Sequence, residues 1–217
     1  MNNLYSRHRF LLSLIIPCLA VFIAYSPLYF KGALISDDVT FLTQWPLLQN
    51  LGNFSKILKG ALPPNHEGGY RPLRTLHEAI SLYFWGSNPI PYHIQGILFH
   101  IFTTGLVFIL LLKMLEIFHF ETQKKYLFAS LGSIFFGLHP ILTESVAFIQ
   151  ASFDTMGITY ALISYYFFLQ MLVTPRKVFY GVFSCLFALI AFLFYELAYP
   201  FPAIVAITTF LFFSQSH

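Results

Sequence analysis

The chain has 217 residues, 57% of them hydrophobic and only 10% charged, against about 25% charged in a soluble domain, and its mean hydropathy is +0.69. These values exclude an ordinary soluble globule and define an integral membrane protein. A formal charge of +3 is too small to imply nucleic acid, and no arginine stripe or zinc-like ligand spacing argues otherwise, so no nucleic-acid partner is expected. The 27 Phe exceed the 12 basic and 9 acidic residues together, as suits helices that face lipid or pack by shape. Cys18 and Cys185 both fall in apolar segments and read as small buried hydrophobes rather than as a disulfide or metal pair.

The first apolar segment runs from Phe10 to about Tyr29. Arg7, His8 and Arg9 before it imitate a signal peptide. The run is long, however, and lacks a small-x-small cleavage site, so it is expected to stay as an uncleaved first span. Pro17 is tolerable inside a membrane helix, where neighbours can satisfy the freed carbonyl, and Pro27 is expected to end it.

A non-spanning stretch follows over residues 31–91. Near its start, Asp37 and Asp38 stand side by side at the mouth of a membrane helix. Such carboxylates must be hydrated, paired or bound to a cation. Asp37 or Ser36 is placed to cap a short helix from Val39, with Phe41, Leu42 and Trp45 on an apolar side suited to the interface. Pro46 is expected to interrupt it. Residues 58–69 are rich in Gly, Pro, Asn and His and read as loop. A helix is expected from Pro72 to about Trp85, with proline in its first turn. Three- and four-residue spacings put Arg74, His77, Glu78 and Ser81 on one face of it.

The second segment runs from Tyr92 to about Leu112, with His93, Gln95 and His100 in its first half. The third, about Tyr126 to Leu138, is short for a span. Pro140 is expected to bend the chain there, with a surface helix over residues 141–151. The fourth runs from about Phe153 to Val173, with Asp154 as a candidate cap. After a tight turn at Thr174–Lys177, the fifth covers Val178 to Phe194 and ends at Tyr195 and Glu196. The sixth covers Phe201 to Phe213. The expected fold class is all-α: a polytopic membrane protein with about six membrane segments and external interfacial helices.

Arg7, Arg9, Lys113, Lys124, Lys125, Arg176 and Lys177 fall on one side of an alternating path. The positive-inside rule makes that side cytoplasmic, with the N-terminus there. The loop over 31–91, with Asp37, Asp38, Glu67 and Glu78, then lies on the non-cytoplasmic side, as do Glu144, Asp154 and Glu196.

Several motifs recur together in one known family: Asp37-Asp38 after the first helix, Tyr70-Arg71-Pro72-Leu73, Tyr92-His93 entering the second helix, His100 within it, and His139-Pro140 followed by Thr143-Glu144-Ser145-Val146. In this set the chain resembles the N-terminal half of the GT-C-type transmembrane glycosyltransferases. The nearest in pattern are the protein O-mannosyltransferase-like proteins with tetratricopeptide repeats. The resemblance covers most of residues 30–200. It implies a polyprenyl-phosphate-linked sugar donor, a protein or lipid acceptor, an acidic catalytic residue at Asp37 or Asp38, and a divalent cation (Mg or Mn) near the lipid phosphate. The chain departs from the pattern at Ala151-Ser152, where relatives commonly carry Gly-Arg, and at Tyr195-Glu196, where they carry Lys-Glu. On this reading residues 1–217 form a single truncated GT-C-like membrane domain.

Sugar transfer needs a carboxylate to take the acceptor hydroxyl's proton and positive charge to steady the departing phosphate. Asp37, Asp38 and Glu144 are the catalytic candidates, with Asp38 and Glu144 also the candidate metal ligands. Arg71 and Arg74, whose guanidinium forks suit phosphate oxygens, are placed with His93, His100 and Glu196 as candidates for binding the lipid donor. The structural alternatives are ion pairs of the arginines with Glu67 or Glu78, a helix-to-helix hydrogen bond for His100, and a turn-forming role for His139. The second functional reading is a non-catalytic structural subunit of a larger membrane complex, with protein partners packed on its truncated helical edge.

Overall fold

The computed structural model describes residues 2–28, 37–44, 48, 50–59, 69–120 and 124–214, and the described residues are mostly helical, with no strand among them. The helices are α1 (Asn2–Tyr25), α2 (Asp37–Val39), α3 (Phe54–Leu58), α4 (Pro72–Trp85), α5 (Pro89–Ile117), α6 (Lys125–Gly137), α7 (Thr143–Ala147), α8 (Ile149–Val173), α9 (Lys177–Phe194) and α10 (Phe201–Ser214). Five helical stretches are long and apolar enough to cross a membrane: Arg7–Tyr25, α5, α8, α9 and Glu196–Ser214. A sixth crossing results if α6 and the stretch Pro140–Ala147, bent by 48°, form one broken span. Pro140 is the physical cause, because its ring removes a donor and blocks continuation of α6.

Most boundaries follow local chemistry. Pro17 sits inside α1, and the helix ends before Ser26-Pro27. Pro72 begins α4, and Gly86, at φ 56°, ends it in a conformation that favours glycine. The Asn88 side chain accepts from the Ile90 N–H and starts α5, which is three residues longer at its start and five longer at its end than the apolar run alone suggests.

Several expectations need correction. The helix expected over 141–151 is broken. Residues 140–142 form a 3-10 turn, α7 ends at Ala147, Phe148 is extended, and 149–151 belong to α8. Asp154 therefore lies in the second turn of α8 and is not its cap. The short helix after the first span begins at Asp37 rather than Val39 and continues as a π-helical turn over Thr40–Gln44. Leu42 is fully buried in the protein core and does not lie against the interface. Cys185 is exposed on α9, whereas Cys18 is half-buried against the Ile101 carbonyl. The expected roles of Trp45, Pro46 and Glu67 lie outside the described residues.

Two groups of helices make the bundle. One is α1, α5 and α6; the other is the antiparallel pair α8 and α9, joined to the first through α5 and α8. Lipid supplies no hydrophobic drive between helices, so close approach and hydrogen bonds must hold them. At Gly137, an added Cβ would lie 2.5 Å from Val21 and 2.9 Å from the Thr104 hydroxyl, so only glycine lets α6 approach α1 and α5 this closely. Across α8 and α9, the Ser164 hydroxyl donates to the Ser184 carbonyl at 2.7 Å and the Ser184 hydroxyl donates back to the Ser164 carbonyl at 3.0 Å. The Thr103 and Thr159 hydroxyls pair at 2.7 Å across α5 and α8, and Tyr165 pairs with Thr208 of α10 at 2.7 Å. Outward positions such as Leu12, Phe135, Val178 and Phe210 are more than 60% exposed, as expected of faces that meet lipid.

The non-spanning segments fold onto one end of this bundle. Leu42, Leu48 and Ile57 join Ala79, Leu82 and Tyr92 with Ile149, Phe153 and Met156 of α8 and Phe194 of α9 in one core. The opposite end collects basic residues. Arg9 lies over the Tyr126 ring, and Lys125 reaches Glu116, which also faces Lys113.

Candidate functional site

A buried polar layer lies where α8 begins. Phe148, the residue before α8, has no side chain able to cap, so the first N–H groups of the helix need an outside acceptor. Asp38 supplies it: its Oδ1 accepts from the Gln150 N–H at 3.1 Å, and the residue is completely buried. A carboxylate is favoured at this end of a helix by both the free donors and the helix dipole. Arg74 on α4 completes the layer. Its Nε donates to Glu78 Oε1 at 3.0 Å, and its Nη2 donates to Gln150 Oε1 at 2.8 Å and to the Gln150 carbonyl at 3.4 Å. Glu78 is 1% exposed and Gln150 is 3% exposed. Two carboxylates, one guanidinium and one amide thus meet away from water, where each depends on its partners. The Gln150 Nε2 is buried with no hydrogen-bond partner among the described residues.

At the edge of this layer, Arg71 and Glu196 make a two-bond fork. Arg71 Nε donates to Oε2 at 2.7 Å and Nη2 donates to Oε1. The same guanidinium stacks over the Tyr195 ring, 4.2 Å from its centre. Gly69 approaches so closely that a Cβ there would lie 3.2 Å from the Glu196 carboxylate oxygens. This pair is partly exposed, unlike Arg74 and Glu78.

Below the layer, His77 and Ser81 of α4 meet Gln95 of α5. Gln95 Nε2 lies 2.6 Å from His77 Nε2, and the Ser81 hydroxyl donates to Gln95 Oε1 at 3.4 Å. With the Gln95 oxygen accepting from Ser81, its amide donates and the imidazole nitrogen accepts, which is the neutral form of histidine. Burial among Phe99, Phe153 and Phe194 lowers the His77 pKa below its ordinary value, and the Gln95 hydrogen bond offsets part of that.

The structure therefore brings Asp38, Arg71, Arg74 and Glu196 to one end of the bundle. Asp37 begins the same short helix as Asp38, and the remaining candidates have different surroundings. His100 Nε2 meets the Gly137 carbonyl at 2.9 Å and its ring packs edge-on against Tyr25, so it ties α5 to α6 and α1. His93 is buried one turn before Ile97 on the same helix. Glu144 is exposed on α7. His139 Nδ1 accepts from the Ile141 N–H at 3.3 Å and shapes the turn at Pro140. The side chains of Asp37 and Asp154 lie outside the described residues. Among the described residues, no three His, Cys, Asp or Glu side chains gather around a point where one cation would fit.

Gln150 is the member of the layer that sequence reasoning missed. The available signal was a lone amide in the first turn of an otherwise apolar span, next to the Ala151-Ser152 departure already noted.

Fold and layer define an all-helical chain with several membrane-length helices and a buried acid–base cluster at one end. A scan against protein-family models, a search of curated proteins and a search of solved structures each found no match.

Proposed function

We propose that the chain is a GT-C-like glycosyltransferase module that moves a sugar from a polyprenyl-phosphate donor to a protein or lipid acceptor. One observation supports this best. Asp38, Arg74, Glu78 and Gln150, drawn from three distant parts of the sequence, converge in one buried layer beside Arg71 and Glu196. Two of these positions, Asp38 and Arg71, belong to the motifs that carry the resemblance. In this reading the layer faces the non-cytoplasmic side, and the end with Arg9, Lys113 and Lys125 faces the cytoplasm, following the positive-inside rule.

Burial sets the roles of Asp38 and Arg71, and the resemblance sets that of Asp37. Asp38 is enclosed and bonded to the start of α8, so it is a positioning residue. Asp37, the first residue of the same short helix, takes the proton of the acceptor hydroxyl. Arg71 is partly exposed and planar, so it is the cation that moves from Glu196 to the departing phosphate. Exposed Glu144 is available to the acceptor side. Among the described residues the carboxylates form no three-residue donor set for a divalent cation.

The test is turnover of a polyprenyl-phosphate sugar by membranes carrying Asp37→Asn, Asp38→Asn or Arg71→Lys. Loss of a general base is expected to cut the rate by about 100-fold or more, with unfolding temperature unchanged for Asp37→Asn. Wild-type turnover in all three variants overturns the reading. A second reading, a non-catalytic structural subunit of a larger membrane complex, is favoured by the carboxylates that already engage both arginines. It requires co-purification with partner proteins and no binding of lipid-linked sugar.

A further inference from the structure

A groove of about 520 Å³ runs along the first half of α9, lined by Met171, Lys177, Val178, Gly181, Val182 and Cys185. Gly181 makes the notch. A Cβ there would stand 3.2 Å from the Met171 sulfur, so the missing side chain both opens the groove and brings α8 close beneath it. The lining is apolar along its length and charged at one end only, at Lys177. Arg176 stands next to that lysine, and α9 carries no acidic residue anywhere from Lys177 to Phe194.

Polarity and depth together select the occupant. At a helical rise of about 1.5 Å per residue, the eight steps from Lys177 to Cys185 cover about 12 Å. One leaflet of a hydrocarbon core about 30 Å thick is about 15 Å deep. The groove thus runs from the charged boundary of the bundle through most of one leaflet. A molecule that fits it is negative at one end and apolar over the rest. Lysine at this depth keeps its ammonium at the headgroup level while its stem lies along apolar surface. We propose that this groove binds one anionic phospholipid of the surrounding leaflet, with Lys177 at its phosphate and an acyl chain laid over Gly181 toward Cys185. The site is separate from the polar layer at the start of α8, and the proposal does not depend on the transferase reading.

The full chain is placed in nanodiscs of phosphatidylcholine with an equimolar share of phosphatidylglycerol, released into detergent, and the lipid that stays bound is read by native mass spectrometry. Phosphatidylglycerol is expected to be retained about fivefold over phosphatidylcholine, the ratio that corresponds to about 1 kcal/mol per lysine near an anionic surface. Lys177→Gln, a change at an exposed position, is expected to remove that preference while leaving retention of phosphatidylcholine unchanged. Equal retention of the two lipids overturns the proposal, as does a preference that survives Lys177→Gln. Lipid-free dimers in place of lipid-bound monomers also overturn it, because a second copy of the chain is then the occupant.

Discussion

At the start of α8, Arg74 and Glu78 meet at 3.0 Å with 10% and 1% of their side chains exposed; at the opposite end of the bundle, Lys125 and Glu116 meet at 3.3 Å with 33% and 51% exposed. The separations are nearly the same and the surroundings are not. Water and salt screen the second pair, which makes it worth little and replaceable. The first pair sits with Asp38 and Gln150 in a space that offers no solvent as a substitute partner. Its members have been removed from water at a large cost, and only the completed set offsets that cost. A buried layer of this kind specifies one arrangement of α2, α4 and α8, whereas the exposed pair is compatible with many.

The contrast can be tested most severely at Arg74. Arg74→Met leaves Glu78 buried without its guanidinium and is expected to cost about 3–5 kcal/mol, read as unfolding in detergent. Arg74→Met combined with Glu78→Leu should recover much of that loss. If the single variant unfolds like the wild type, the layer is not a coupled set.

Acid should act on the same end. The folded pKa of His77 is lowered by burial, so the imidazole is neutral in the fold, whereas the unfolded chain takes up a proton below its ordinary value of 6.5. Stability from this group is therefore complete above about pH 6.5 and falls as the pH drops toward the folded pKa. Comparing wild type with His77→Gln between pH 7.5 and 5, about the range of histidine titration, should show a flatter profile for the variant. A parallel pair of profiles would place His77 in contact with water.

Between the two ends, Ser164 and Ser184 test the same idea in the middle of the α8–α9 pair. Hydrogen bonds between membrane helices average about 0.6 kcal/mol in double-mutant cycles, and the Ser164→Ala, Ser184→Ala cycle should give a coupling of that order. The smallest effect belongs to Lys125→Ala, expected at about 0.2–1 kcal/mol or less and reduced further by salt. A cost at Lys125 equal to that at Arg74 would erase the distinction between the ends.

Much of the bundle was legible in the chain itself. Apolar runs of membrane length located the spans, Pro27, Pro72 and Pro140 marked where helices end, begin or bend, and four-residue spacing put Arg74 beside Glu78. The part of the site that crosses elements was not legible. Nothing in the spacing of Asp38 and Gln150, 112 residues apart, announces that one caps the other's helix. The apolar pattern puts the start of α8 four residues late, because Phe148 looks like a continuing apolar helix position. In the structure it is extended, and Asp38 supplies from elsewhere the acceptor it lacks.

The amino-acid sequence by itself determined that this is a helical membrane protein, where its spans lie and which short-range faces carry polar groups. Those features depend on hydrophobicity, proline chemistry and helical period, all of which act over a few residues. The tertiary structure alone decided that Asp38 is buried rather than hydrated, that Glu196 pairs with Arg71, and that His100 braces α6. Each of these depends on which helix ends come together, and that is settled by the packing of the whole bundle, through contacts such as Gly137 against Val21 and Ser164 against Ser184.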